Sequence, residues 1–200
     1  MIKTKKYKSN TDDIILATLE NGKDVTIKNY EQFVNEKNKS AIAKMIFCRL
    51  YGRYLKPFTF ENNIFKKEYK SGFAIMANCC LCIEALQSFK NGWDKTPKGG
   101  DKIFNDFFNK TITLKEFSKK DFYKHIRCGI LHQGETTGGW RIKRGGSLLE
   151  NKTINATKFL YELHKELNLY VGELKNSEWE SKILDKCRIK MQKIIENCQT

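Results

Sequence analysis

Proline is scarce in this chain, and no long tract of glycine and serine interrupts it. Only 2 of the 200 residues are prolines. Flexible and disordered linkers are typically rich in Pro, Gly or Ser, so this composition argues against one. Hydrophobic residues make up 40% of the chain and aromatic residues 12%, which is enough to bury a core. We therefore expect a folded protein with one compact domain and additions, or with two small domains.

Long hydrophobic runs and metal-binding motifs are also missing. No continuous apolar run approaches the length of about 18 residues that a membrane span needs, and no signal peptide is recognisable. The 7 cysteines lie mostly in apolar helical patterns, where a thiol acts as a small hydrophobe. The sequence NCCLC at 78–82 has no CxxC pair or second Cys/His cluster beside it. We expect a cytoplasmic protein with reduced cysteines, no membrane attachment, no metal and no other cofactor.

Acidic residues are outnumbered by basic ones. Lysine and arginine number 37 and aspartate and glutamate 23, so the formal net charge is +14. Lysines account for 31 of the cations and arginines for 6, a bias typical of AT-rich genomes. Exposed positive charge also favours association with nucleic acid, whereas the basic segments lack the apolar face of a membrane-surface helix. A compositional bias and RNA as a partner are therefore both open explanations.

The first part of the chain predicts a basic tail followed by a β-hairpin. Residues 1–10 contain four lysines and little apolar material, which is typical of a frayed terminus. The segment 14–27 alternates apolar and polar residues around Asn21-Gly22, a strong hairpin-turn pair. We assign residues 1–39 to this tail and hairpin.

From residue 40 onward the pattern is helical, and residues 40–200 predict a mostly α bundle. The segment 71–92 is hydrophobic almost throughout, with Glu84 as its one acidic residue, so we expect a central buried helix. The segment 121–132 predicts a later helix with an apolar face.

The last third of the chain combines a β insertion with two further helices. A second β-hairpin is expected near 139–150, with its turn at Gly145-Gly146. Asn155 and Ser177 are typical N-cap residues for the two helices that follow. The expected fold class is therefore mostly α with small peripheral β-hairpins.

Arg127 and His132 stand five residues apart in the segment 121–132. An imidazole can take or give a proton at neutral pH, and a guanidinium is permanently charged and binds phosphate. Together they supply a base for a ribose 2′-OH and a cation for charge developing on a phosphate, as metal-free RNA cleavage requires. An undistorted α-helix separates positions five apart by about 140°. We expect the side chains to meet only if the helix loosens near Gly129, ends before His132, or faces a second copy of itself.

Residues 127–132, RCGILH, resemble the R-x(4–6)-H motif of HEPN domains. These are helical nucleotide- and RNA-processing modules of toxin–antitoxin, abortive-infection and CRISPR systems. Over residues 40–175 the pattern is similar too, with a long apolar helix bearing Glu84 and the motif near the end of a later helix. The family often has Asn, Asp or His directly after the arginine, where this chain has Cys128. The resemblance implies a HEPN-like helical bundle that dimerises, so that two motifs form one metal-independent endoribonuclease site.

Supporting roles are expected for several neighbours of the pair. Glu84 is a candidate partner that orients Arg127, and Gln133 and His125 are candidate supports or secondary RNA contacts. Candidate RNA-binding residues follow in the segment WRIKR, where the tryptophan can stack on a base: Trp140, Arg141, Lys143 and Arg144. Each of these roles has a structural alternative. Glu84 could be a buried acid whose hydrogen bonds are satisfied by other groups, and the polar residues after His132 could form a solvated loop. Trp140 could fix the hairpin to the bundle.

The function expected from these features is that of a homodimeric, metal-independent endoribonuclease. It would be a toxin or anti-phage defence effector, with an antitoxin or a defence-system protein as partner. It would cut RNA through 2′-OH attack and leave DNA intact. Further backbone contacts are expected from the lysine tail and from cations of the last helix: Lys186, Arg188, Lys190 and Lys193.

The alternative is a non-catalytic helical module that binds RNA or a protein. In that case Arg127 and His132 belong to a packed helix end. A nucleotidyl-transferring enzyme or a deaminase would need a carboxylate pair or a zinc signature, and the sequence has neither.

Overall fold

The computed structural model describes residues 11–59, 70–119 and 121–199. Within these residues the chain is 66% helical and carries two small sheets, which confirms the predicted mostly α class. The predicted basic tail at 1–10 lies outside the described residues. One hydrophobic cluster runs through the hairpin, the helices and the second sheet, so residues on both sides of position 40 share a core.

The N-terminal hairpin forms as predicted. Strands β1 (Ile15–Thr18) and β2 (Asp24–Thr26) pair antiparallel, and Gly22 in the turn has a φ of 80°, which glycine adopts without steric cost. Helix α1 (Ile27–Asn35) follows at once, although the sequence pattern did not indicate it. Its N-cap residue Thr26 closes a reciprocal capping box, a local signal for this helix start.

Helix α2 (Lys39–Leu50) carries an apolar stripe into the core. Its N-terminus is capped by Asn38, whose side chain accepts a hydrogen bond from a backbone N–H. After Leu50 the chain widens into a π-helical turn at Tyr51–Leu55 and then tightens into a 3-10 turn at Lys56–Phe58. Pro57 lies in this last turn, where it prevents the helix from continuing.

Helix α3 (Gly72–Asn91) is the central helix, as its hydrophobicity predicts. It contacts α2, α4 (Gly100–Asn109), α5 (Ala156–Asn176) and α6 (Lys182–Gln199). By length and composition α3 is long and apolar enough to cross a membrane. The sequence analysis found no continuous apolar run of that length, so it did not predict such a helix. However, 61% of the relevant window is buried inside the protein, as in the core helix of a globular fold.

Aromatic side chains fill the core between α4, α5 and the segment that follows α4. Phe122 is fully buried, and its ring stacks on Phe159 with a centroid distance of 5.5 Å. It also meets the ring of Phe108 edge-on at 4.9 Å. Because Phe122 directly precedes the segment that carries Arg127, this cluster anchors the start of that segment.

The second β element is a three-stranded sheet and not the hairpin predicted at 139–150. Strand β5 (Thr153–Asn155) lies in the middle, parallel to β3 (Arg141–Lys143) and antiparallel to β4 (Leu149–Glu150). The turn around Gly145-Gly146 exists, but the strands it connects pair with β5 and not with each other. Ile154 of β5 is fully buried, which places this strand at the centre of the sheet.

The caps of the last two helices agree with the sequence only in part. Asn155 caps α5 as predicted, with its side-chain oxygen 3.1 Å from the backbone N of Lys158. Ser177 is the C-cap of α5, and α6 begins only at Lys182. The Ser177 hydroxyl donates to the carbonyl of Glu173 at 2.6 Å, so it satisfies the end of one helix and does not open the next.

Replacing Phe122 by alanine tests whether the aromatic cluster anchors this part of the fold. The ring is fully buried, so we expect Phe122→Ala to lower the free energy of unfolding by about 3–5 kcal/mol. Ile112→Ala is the control because Ile112 is 89% exposed, and its effect should stay within about 0.5 kcal/mol. Urea unfolding followed by circular dichroism measures both. A loss below about 1 kcal/mol for Phe122→Ala would contradict the packing described.

Candidate active site

The segment Tyr123–Gln133, which carries Arg127 and His132, is a π-helix and not the expected α-helix. Its backbone hydrogen bonds join residue i to residue i+5, so side chains five positions apart lie on the same side of the helix. Ile126 and Ile130 are buried and hold one side of this π-helix against the bundle. Among the three arrangements that would let the pair meet, a loosened helix is therefore the one realised.

Arg127 and His132 meet within one chain. Arg127 Nη1 lies 3.0 Å from His132 Nε2. A guanidinium carries only donors, so this contact is a hydrogen bond when the imidazole is neutral and carries its proton on Nδ1. Arg127 is mostly buried, with a side chain 18% exposed, whereas His132 is exposed. The imidazole is therefore accessible from solvent while its partner is held by the fold.

Glu84 of α3 orients Arg127 from the other side. Arg127 Nε donates to Glu84 Oε1 at 2.7 Å, as the sequence analysis anticipated. Burial by itself lowers the pKa of Arg127, but the hydrogen bond and charge of Glu84 raise it more, so the net pKa lies above its usual value. The guanidinium stays charged, with its Nε edge bound to Glu84 and one Nη group facing His132.

Tyr123 and Cys128 complete the surroundings of the guanidinium. Arg127 Cζ lies 5.5 Å from the centre of the Tyr123 ring, within the range of a cation–π contact. Burial and the neighbouring Cys128 thiol raise the pKa of Tyr123. Gly100 leaves room for this ring, because a Cβ there would overlap it. Sequence reasoning missed Tyr123, although its position one helical turn before Arg127 was an available signal.

The chain after the π-helix folds back over it and is held by His125. His125 Nδ1 lies 2.8 Å from the Thr137 hydroxyl, and the His125 carbonyl accepts from the Thr137 N–H at 3.1 Å. A Cβ at Gly138 would overlap the imidazole ring, so the loop and the ring fit together only with glycine there. The His125 side chain is 16% exposed, and its contacts give it the role of positioning this loop.

Trp140 and Gln133 lie in different surroundings. Trp140 is 5% exposed and belongs to the hydrophobic core. This burial corrects the expectation that it stacks on a base, and it agrees with the alternative in which the tryptophan fixes the β insertion to the bundle. Gln133 follows His132 directly and is exposed, so it remains a candidate support beside the pair.

The three predicted RNA-binding cations of the segment 141–144 differ in how strongly the fold engages them. Arg144 donates hydrogen bonds to the hydroxyls of Ser71 and Thr157, at 3.0 and 3.1 Å. Lys143 Nζ lies 3.5 Å from a carboxylate oxygen of Glu150. Arg141 is exposed. Arg144 therefore ties β3 to the bundle, and Arg141 is the most accessible of the three.

The cysteines of α3 are core residues. Cys79, Cys80 and Cys82 are buried free thiols, and burial raises the pKa of each. They are therefore protonated and pack as small hydrophobes. Across residues 11–59, 70–119 and 121–199, no group of three or more His, Cys, Asp or Glu side chains is arranged to hold a metal ion.

Comparison with other proteins adds no family assignment. The chain matches no protein-family model, no curated protein and no solved structure. The resemblance of residues 127–132 to the HEPN motif therefore depends on the motif itself.

Replacing Gly129 by alanine tests the close approach of the loop to the π-helix. A Cβ at Gly129 would overlap the backbone carbonyl oxygen of Glu135, so we expect Gly129→Ala to lower the free energy of unfolding by about 1–3 kcal/mol. Gly172→Ala is the matched control, because Gly172 lies inside α5 with open space around it. There the better helix propensity of alanine should raise stability by up to about 1 kcal/mol. Stabilisation by both substitutions in urea unfolding would contradict the loop contact.

Removing the charge of Glu84 tests how strongly α3 holds the guanidinium. Glu84→Gln keeps an acceptor oxygen but removes the charge, so we expect a loss of about 1–2 kcal/mol, between the values for exposed and buried ion pairs. A double-mutant cycle with Arg127→Ala should give a coupling energy of about 1–2 kcal/mol. Strictly additive single and double variants in urea unfolding would show that the two side chains do not interact.

Proposed function

We propose that this protein is a metal-independent endoribonuclease of the HEPN type. The observation that supports the proposal most is the contact of Arg127 with His132, in which an accessible imidazole lies beside a charged guanidinium that Glu84 orients. This arrangement provides a proton acceptor and a phosphate-binding cation within 3.0 Å of each other. Neither group needs a cofactor to act on RNA.

The reaction uses the two side chains in complementary roles. The lone pair of one imidazole nitrogen of His132 takes the proton of a ribose 2′-OH, and the resulting O2′ attacks the adjacent phosphorus. The bond to the 5′ oxygen breaks, and that oxygen takes a proton from the imidazolium or from water. Arg127 donates hydrogen bonds to the phosphate oxygens on which negative charge develops. The products are a 2′,3′-cyclic phosphate and a 5′-hydroxyl end.

Substrate binding would open the resting contact between the two side chains. A phosphate oxygen is a stronger acceptor for a guanidinium than a neutral imidazole is, because the phosphate carries a negative charge that also attracts the cation. The phosphate would therefore draw Arg127 Nη1 away from His132 and free Nε2 to act as the base. Glu84 would keep the guanidinium in place during this exchange through its bond to Nε.

Assembly and biological role are part of the proposal. Because Arg127 and His132 meet within one chain, a second copy is not required to bring them together, which corrects one geometric reason for expecting a dimer. The HEPN resemblance still favours a homodimer in which the two motifs meet at the interface and form one shared active site. It also favours a cytoplasmic toxin or defence effector, with an antitoxin or defence-system partner.

A non-catalytic helical module that binds RNA or a protein is the second candidate. The observation that favours it is that Arg127 is engaged on two sides, by Glu84 and by His132. A guanidinium whose bonds are satisfied by the fold can also serve structure alone. Arg127 and His132 would then close the end of the π-helix.

An assay with mixed RNA in excess EDTA separates these candidates. We expect the wild type to cut RNA and leave single-stranded DNA intact, because DNA has no 2′-OH. Arg127→Ala and His132→Ala should each lower the cleavage rate by at least about 100-fold. Lys175→Ala, which removes an exposed charge at the end of α5, should cleave like the wild type. Gel electrophoresis of labelled RNA gives the rates, and circular dichroism confirms that each variant is folded.

Three outcomes would contradict the proposed reaction. Cleavage that survives His132→Ala would exclude the imidazole as the base. Cleavage that EDTA abolishes would show that a metal carries the chemistry. Equal RNA binding by all variants with no cleavage at any protein concentration would favour the binding module.

A further inference from the structure

Two adjoining cavities form one groove along α3. The first has a volume of about 300 Å³ and is lined by α2, the turn Tyr51–Leu55, α3 and α6. The second has a volume of about 220 Å³ and is lined by residues of the loop before α4, by α4 and by the π-helix. Glu84 and Thr96 line both cavities, so the two meet there. We call the two cavities together the Glu84 groove, and Arg127 lines its second cavity.

Cations outnumber acids along the Glu84 groove. Five basic side chains line it: Arg49, Arg53, Lys98, Arg127 and Lys190. Glu84 is the one carboxylate among the lining residues, and its charge is matched by Arg127. The rest of the groove therefore presents positive charge to whatever enters it.

Arg49 and Arg53 place two like charges next to each other, between the first cavity and a further cavity beside β1 that both residues also line. Arg49 is buried and donates to the carbonyl oxygen of Leu16 at 2.5 Å, and burial together with the nearby Arg53 lowers the pKa of Arg49 to about 10. In the part of the chain that the structure describes, neither arginine forms an ion pair. Two such charges would be stabilised by an anion that binds between them.

The remaining cations are held at different positions along the groove. Lys190 lines the first cavity and donates to the backbone carbonyl of Asp94 at 3.0 Å, which limits the positions that its ammonium group can take. Lys98 is exposed at the second cavity. Positive charge is therefore distributed over the whole length of the groove, as a ligand with repeated negative charges would require.

Aromatic and apolar surfaces lie among these cations. Tyr54 lines the first cavity and Tyr123 the second, and both are partly exposed. Leu81 lines the first cavity and is 39% exposed. Cations for the backbone combined with rings for the bases are the features by which proteins bind single-stranded nucleic acid.

We propose that the Glu84 groove binds the substrate as single-stranded RNA and leads it to Arg127 and His132. Backbone phosphates contact Arg53 and Lys190 in the first cavity and Lys98 in the second, and a base stacks on Tyr54. This inference rests on the proposed ribonuclease function and names the path of its substrate. It moves the main RNA contacts away from the segment 140–144, where the sequence pattern placed them.

A binding assay with a strand that the protein cannot cleave tests the groove directly. The probe is a fluorescein-labelled, 2′-O-methylated oligouridine of about 12 nucleotides, measured by fluorescence anisotropy between about 50 and 200 mM salt. The test variant is Arg53→Ala/Lys98→Ala, which removes two exposed groove cations. The control is Lys175→Ala/Lys182→Ala, which removes two exposed charges that do not line the groove.

The groove variant should bind the probe at least about tenfold more weakly than the wild type. The slope of log affinity against log salt should fall by about 1.4, because each phosphate contact to a single strand contributes about 0.7. The control variant should bind within about twofold of the wild type, because charges beyond a Debye length are largely screened.

Two outcomes would overturn the inference: no binding of the probe by the wild type, or equal weakening by the two double variants. These failures are separate from that of the proposed function, because the probe has no free 2′-OH. If the wild type cuts RNA and the groove variant binds and cuts equally well, the proposed ribonuclease function stands. The proposed path of the substrate through the groove is then wrong. If the groove variant binds the probe more weakly but no protein cuts RNA, the groove is an RNA-binding site. The proposed ribonuclease activity is then contradicted.

Discussion

Hydrogen bonding from residue i to residue i+5 along Tyr123–Gln133 is the constraint on which the candidate site depends. In an α-helix Arg127 and His132 would point about 140° apart, whereas here their side chains are 3.0 Å apart. Such segments are rare and are found frequently at functional sites. The loop that folds back donates hydrogen bonds to the carbonyls of His125 and Gly129, and these bonds stabilise the widened helix.

Glu84 connects this local geometry to the rest of the molecule. It belongs to the central helix α3, so the packing of the bundle fixes the position of its carboxylate. That carboxylate binds Arg127 Nε and also lies where the two cavities of the Glu84 groove meet. Glu84 therefore takes part both in the proposed catalytic geometry and in the proposed path of the substrate.

Features that local sequence chemistry determines were predictable, and features that depend on distant contacts were not. The turn at Gly22 and the cap at Asn155 follow from residue types at neighbouring positions, and both form as expected. The central position of β5 depends on the burial of Ile154, and the place of Trp140 in the core depends on the bundle around it. The π-helix also depends on a distant contact, the approach of the loop to Gly129. The spacing of apolar residues along the helix does not reveal this contact.

The most direct test of the Arg127–His132 contact is a two-bond ¹H–¹⁵N nuclear magnetic resonance spectrum of protein with ¹⁵N-labelled histidine, at a pH where His132 is neutral. A guanidinium that donates to Nε2 requires the tautomer with its proton on Nδ1. We predict that His132 shows this tautomer in the wild type and that Arg127→Ala shifts its Nε2 resonance and restores the other tautomer. A His132 spectrum with the proton on Nε2, or one that Arg127→Ala leaves unchanged, would contradict the contact on which the proposed site is built.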